Sequence, residues 1–200
     1  MKKIIIILFL FTSTACVKYT DLRDLQIIKS IGISYHDTYT IYAEIYDEIK
    51  KDNDPKTIFI SSSGKTIHEA FENLNLITNK KIFLAHIDLL ILDQELNNQN
   101  YQEITNYFIN NKNLRNDFLC IFSKDIRLLL ENSKYDEIED IIKSNNETKN
   151  TINISFDEVM NCILNKKSFT LSMINYDGKI KYIGNYKYDN NMERINNEKD

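Results

Sequence analysis

The stretch KKIFLAHIDLLIL, residues 80–92, decides the fold class. Read with a period of two, it places Phe83, Ala85, Ile87, Leu89 and Ile91 on one face and Ile82, Leu84, His86, Asp88, Leu90 and Leu92 on the other. A strand that is apolar on both faces must be covered on both faces, which is the situation of a central strand in a sheet flanked by helices. The segments around it should therefore supply both further strands and amphipathic helices.

They do. Upstream, LQIIKSIGIS and TYTIYAEIY read as strands around a polar break at His36–Thr38, and TIFIS as a third after a loop with the chain's only proline, Pro55. Between that meander and residue 80, Ile67, Ala70, Phe71, Leu74 and Ile77 recur at helical spacing, and Thr66 with Glu69 is a capping box. Downstream, a helix is expected through Tyr101, Ile104, Tyr107 and Phe108, then the strand DFLCIF, the short helix DIRLLLEN and the polar helix DEIEDIIK. Ser155 and Glu158 form a second capping box, for a helix that turns Phe156, Val159, Met160, Ile163 and Leu164 inward. FTLSMINYDGKIKYIGNYKY reads as a hairpin around Asp177-Gly178.

The fold class expected is α/β or α+β, a mixed β-sheet with packed helices, plus a small helix-hairpin second unit. The corresponding division of the chain is a leader at 1–15, an N-terminal α/β domain at 16–143, a linker at 144–153 in the polar SNNETKN region, a helix plus β-hairpin at 154–188 forming a partial second domain, and a polar tail at 189–200.

The leader assignment rests on residues 2–19, KKIIIILFLFTSTACVKY. The apolar run Ile4–Phe11 is far shorter than the roughly 20 residues a helix needs to span a bilayer. Two lysines, the apolar run and the small residues Thr12 to Ala15 instead reproduce the three regions of an export signal. Ala15 directly before Cys16 is the arrangement in which a bacterial lipoprotein receives a diacylglyceryl group on its cysteine and is cleaved just before it. Cys16 is thus the expected lipidation site and Ala15–Cys16 the expected signal cleavage site, although Ser13 stands where such signals usually carry Leu. An ordinary signal peptide with an incidental Cys16 is the alternative.

Charge and composition narrow the rest. With 42% hydrophobic and 27% charged residues the chain can bury a real core, and a net charge of -4 gives no basic footprint for nucleic acid. Cys120 and Cys162 could pair in an exported protein, but Cys120 alternates with Phe118 and Phe122 as a buried apolar residue would. Two distant cysteines without a neighbouring His make a poor metal centre, so no metal and no cofactor are expected. His86 and Asp88, two apart on one expected strand, are the only pair resembling an acid/base constellation, and a hydrogen-bonded pair at the end of a buried strand is the plainer reading. His36 and His68 read as solvated. Gly64-Lys65-Thr66 imitates the end of a phosphate-binding loop, but Phe59 stands where the motif's first glycine would be. Tyr176, Tyr182, Tyr186 and Tyr188 of the last hairpin could form a contact surface, or pack across strands.

Cys16, Leu25, Ile27, Ile28, Ile31, Gly32 and Ile33 follow the pattern C-x(8)-L-x-I-I-x-x-I-G-I. Ser63-Gly64-Lys65-Thr66-Ile67 with Glu69-Ala70, then Phe83-Leu84-Ala85-His86 with Leu89–Leu92 and Glu95-Leu96, come next in order. Ile104–Ile109, Leu114-Arg115 and the segment Leu171–Gly184 complete the series. In this series the chain resembles the Ger(x)C family of spore germination lipoproteins. It differs at Val17-Lys18, where members carry Trp-Asp, at Ser34, where they carry Asp, and at Asn110, where Arg is common; members are also longer, continuing into a C-terminal domain. The resemblance implies a divergent, short member. It implies no enzyme but a lipid-anchored subunit on the outer face of the spore inner membrane, partnered by the A-type and B-type membrane subunits of a nutrient germinant receptor. A solute-binding lipoprotein that captures a small ligand between two lobes is the alternative from another class.

Overall fold

A computed structural model describes residues 25–47, 56–78, 80–111, 114–115, 117–147, 151–191 and 193–195. Ala15 and Cys16 lie outside the described residues. The first strands are β1 (Leu25–His36), β2 (Thr38–Asp47) and β3 (Lys56–Gly64), followed by α1 (Ile67–Thr78), β4 (Lys81–Phe83) and β5 (Leu89–Asp93). Next come α2 (Asn98–Asn110), β6 (Leu119–Ser123), α3 (Ile126–Asn132), α4 (Tyr135–Glu147) and α5 (Phe156–Leu164). The chain closes with β7 (Phe169–Tyr176), β8 (Ile180–Tyr188) and β9 (Arg194–Ile195).

All the strands join one mixed sheet in the order β3-β2-β1-β5-β6-β7-β8-β9, with β4 beside the start of β1. The hairpins β1–β2, β2–β3 and β7–β8 are antiparallel, whereas β1, β5, β6 and β7 run parallel to one another. Asp37 turns the first hairpin at φ 62°, a left-handed geometry that Asp tolerates, and Gly178 turns the last at φ 68°.

Helices cover both faces. On one, α1, α2 and α5 press Phe71, Leu74, Tyr101, Phe108, Phe156 and Val159 onto Ile31, Ile33, Leu90, Leu92, Cys120 and Phe122. On the other, α3 and α4 lay Ile126, Leu129, Ile138 and Ile142 over Leu89, Ile91, Ile121 and Ile174. The alternation along β5 is thus the one expected, Leu89 and Ile91 against Leu90 and Leu92.

The stretch that decided the fold class is nevertheless not one strand. Ile27 pairs with Phe83 and Ser30 with Leu89, so the two residues Ile28 and Lys29 of β1 face the five residues Leu84–Asp88. The excess loops out as a turn at Ala85-His86, closed by Ile87 N–H donating to Leu84 O at 3.3 Å and Asp88 N–H donating to Lys29 O at 2.9 Å. His86 and Asp88 therefore share a loop, not a strand face.

The boundary expected at 144–153 does not divide the fold. α4 runs to Glu147, and residues 154–188 form α5, β7 and β8, which extend the same sheet and fill the same core. A short segment makes the join: Cys120 N–H donates to Ile154 O at 3.1 Å and Phe156 N–H to Phe118 O at 2.9 Å, while Ile152 N–H donates to Ser172 Oγ at 2.8 Å. It wedges between β6 and β7, leaving Phe122–Met173 as the direct β6–β7 pair. Part of the expected polar tail is ordered as well, since Arg194 and Ile195 pair with β8.

Candidate functional site

At the end of the sheet where β1 begins, the 84–88 loop, the residues before β6, α4 and the wedge segment enclose a cleft of 260 Å³. Its walls are dominated by charge. Lys29, the β1 residue opposite the looped-out segment, pairs with Asp88 and holds its ammonium 4.4 Å above the Tyr135 ring. Burial works against that charge, but the hydrogen bond and negative charge of Asp88 outweigh it and raise the Lys29 pKa. Arg115 clasps Asp117 through two hydrogen bonds, Nε at 3.1 Å and Nη2 at 2.6 Å. Lys143 pairs with Glu139 at 2.9 Å, and Tyr135, whose pKa is raised by burial and by its hydrogen bond to Glu139, completes the wall.

Each charge in the cleft is thus matched by another. His86 is exposed at its mouth with its ring 5.5 Å from that of Phe83, and Asp88 has Lys29, not His86, as its partner. The pairing expected of His86 and Asp88 is therefore absent. Among the described residues no group of three or more His, Cys, Asp or Glu could hold a metal ion.

The other candidate residues scatter. His36 lies 3.7 Å from Asp93 at the opposite end of the sheet, where burial raises the Asp93 pKa despite the amide of Glu95. His68 stands 3.3 Å from Glu72 on the outer face of α1. Cys120, fully buried, and Cys162 are both free thiols, and burial alone raises the Cys120 pKa. Gly64-Lys65-Thr66 is a strand-to-helix junction. A Cβ on Gly64 would stand 2.4 Å from the Ala70 backbone nitrogen, so the strand can approach α1 only as glycine. The junction is capped by Thr66 Oγ1, which accepts from Glu69 N–H at 3.1 Å, while Glu69 accepts from Lys65 N–H at 2.7 Å.

The tyrosines divide. Tyr188 is buried, stacked on Phe169 and donating its hydroxyl to Gln94 O at 2.7 Å, so it is core. Tyr186 lies half-buried under the Arg194 guanidinium, 4.0 Å from the ring centroid. Tyr176 packs against the α3–α4 core.

Sequence reading missed two features. Gly32 matters because a Cβ there would lie 2.1 Å from Ile126 Cγ2: its absence lets α3 sit directly on β1. Glu44, a carboxylate alternating with apolar residues on β2, is buried with Ser30 Oγ 2.8 Å away and the Tyr135 N–H at 3.3 Å. A charged residue at an inward position of a strand was the signal for it.

The described residues thus form a mixed sheet between two helical layers, with a charge-paired cleft at the end where β1 begins. The family described as spore germination protein N-terminal domain matches residues 18–176, and the chain belongs to that Ger(x)C spore germination family. No curated protein and no solved structure matches it.

Proposed function

We propose that this spore germination protein is a lipid-anchored, non-enzymatic subunit of a nutrient germinant receptor, held on the outer face of the spore inner membrane and working through contacts with membrane-embedded A-type and B-type subunits. The observation that carries the reading is the family match over residues 18–176, which begins just after the lipoprotein-like Ala15-Cys16.

The fold supports it geometrically. From Cys16 to Leu25 the chain can reach at most about 30 Å, so an anchor on Cys16 keeps the start of β1 close to the bilayer. That end of the sheet also carries β4, the 84–88 loop and the cleft. Its matched charges avoid a large field toward the membrane and offer ion-pair partners to protein loops emerging from it. No helix among the described residues is long and apolar enough to cross a membrane, which leaves the attachment in this reading to the lipid. One acyl chain binds reversibly, whereas the two chains of a diacylglyceryl group satisfy the requirement for stable anchoring.

Replacing Cys16 by Ala is expected to move the protein from the spore membrane fraction to the soluble fraction, and intact mass should show the wild-type chain starting at a diacylated Cys16. Retention of the variant on membranes would overturn the anchoring.

A further inference from the structure

A second pocket, of 290 Å³, lies between α2, α5 and the turn that links β8 to β9. Its chemistry is the reverse of the cleft's. Among the described residues the one ionised side chain lining it is Lys166, which has no ion-pair partner among them. The exposed side-chain amides of Asn106, Asn190 and Asn191 make no hydrogen bond to the described residues either. Among the described residues no Asp or Glu lines it: Glu103 of α2 is turned to the other side, accepting from Tyr39 Oη and Ile67 N–H at 3.0 Å each, and Asp189 is occupied by the Asn191 and Glu193 amides.

Two further observations indicate that the pocket is more than a gap. Thr105 lines it, is 1% exposed, and its hydroxyl has no hydrogen-bond partner among the described residues. A buried hydroxyl without a partner is costly and rare in a folded protein. Lys166 also has φ 51°, a left-handed backbone. It follows the C-cap Asn165, where Lys166 N–H donates to Ile163 O at 3.2 Å and Lys167 N–H to Cys162 O at 2.8 Å. This is the Schellman ending, whose left-handed position is normally glycine. A lysine here stands at a conformational cost, and strained residues with uncompensated polar groups cluster at binding sites.

We infer that this pocket binds a small organic carboxylate, with the Lys166 ammonium pairing the carboxylate, the free asparagine amides and the Thr105 hydroxyl bonding its oxygens, and Ile163 and Leu164 flanking its carbon skeleton. The requirement is for negative charge with several acceptors. A neutral sugar would leave the ammonium unmatched, and a cation would be repelled.

The test is thermal unfolding of the full-length protein in detergent micelles, titrated with succinate and with citrate, using sodium chloride at matched ionic strength as the control. A saturable rise in the wild-type midpoint above the chloride control is expected, because a ligand that binds only the folded state stabilises it by mass action. Lys166→Gly should raise the unliganded midpoint by roughly 2–4 °C, because glycine relieves the left-handed strain, while weakening carboxylate binding by about tenfold or more. Thr105→Val should likewise leave the unliganded protein at least as stable and weaken binding. A wild-type midpoint that follows chloride alone, or a carboxylate-induced rise retained in full by Lys166→Gly, would overturn the inference.

Discussion

The two faces of the sheet are built differently. Under α1, α2 and α5 the core is a mass of interlocked rings: Phe108 meets Phe156 edge-on at 5.0 Å and touches the rings of Phe71 and Phe118, and Phe169 stacks on Tyr188 at 5.5 Å. Under α3 and α4 the aliphatic core is smaller, and it accommodates a bare glycine, Gly32, and a buried carboxylate, Glu44. The first face is stabilised by volume, so the cost of a change follows the atoms removed. The second depends on fit, so adding an atom or changing a charge matters there.

The largest effect should come from emptying the first face. Phe108 is fully buried at the centre of the ring cluster, and Phe108→Ala removes it where stiff neighbours cannot close the gap. A loss of about 3–5 kcal/mol is expected in urea unfolding. A loss below about 1 kcal/mol would mean that this core relaxes freely, and the contrast between the faces would fall.

Adding one carbon to the second face comes next. The Cβ of Gly32→Ala would need the space of Ile126 Cγ2, a branch methyl on a side chain with few rotamers, so α3 must shift. Overpacking of this kind costs about 1–3 kcal/mol. In an Ile126→Ala background the same substitution should cost much less, because the colliding methyl is gone; equal costs in the two backgrounds would show that the contact is not what the glycine serves.

These positions also show what the sequence made legible. Alternation exposed the inward residues of β5 and β6, and side chain-to-backbone capping marked where α1 and α5 begin, because both are local rules. The split between β4 and β5 was hidden, since the apolar pattern of residues 80–92 is compatible with a continuous strand and the turn arises from pairing with β1, more than fifty residues away. The wedge at 151–156 and the joining of β7 to β6 are equally non-local, so the polar composition of SNNETKN pointed to a linker there instead. Ile77 and Leu164, expected inward, are 53% and 58% exposed because each sits near the C-terminal end of its helix, beyond the sheet it packs on. Of the site, His86 and Asp88 were noticed for the wrong partnership, and Lys166 gave no signal, since a left-handed backbone at lysine has no local signature.

The smallest effect concerns Glu44. Burial raises its pKa, overcoming the hydrogen bonds from Ser30, Thr57 and the Tyr135 amide that favour the ionised form, and the charge of Asp136 adds to the rise. The folded protein therefore holds this proton to a higher pH than the unfolded chain does. Between the unfolded value near 4.5 and the raised folded value the native state binds more protons, so stability falls as pH rises through that window. Glu44→Gln is neutral in both states and should lose that slope. Measured side by side, the variant should gain on wild type as the pH moves from 4 towards 7, by less than either core substitution costs; Asp93, whose pKa burial also raises, contributes equally to both proteins and cancels. If wild type instead gained on the variant with rising pH, the donors around Glu44 would be stabilising the ionised carboxylate more than burial penalises it. The second face would then be held together by a buried charge as well as by fit.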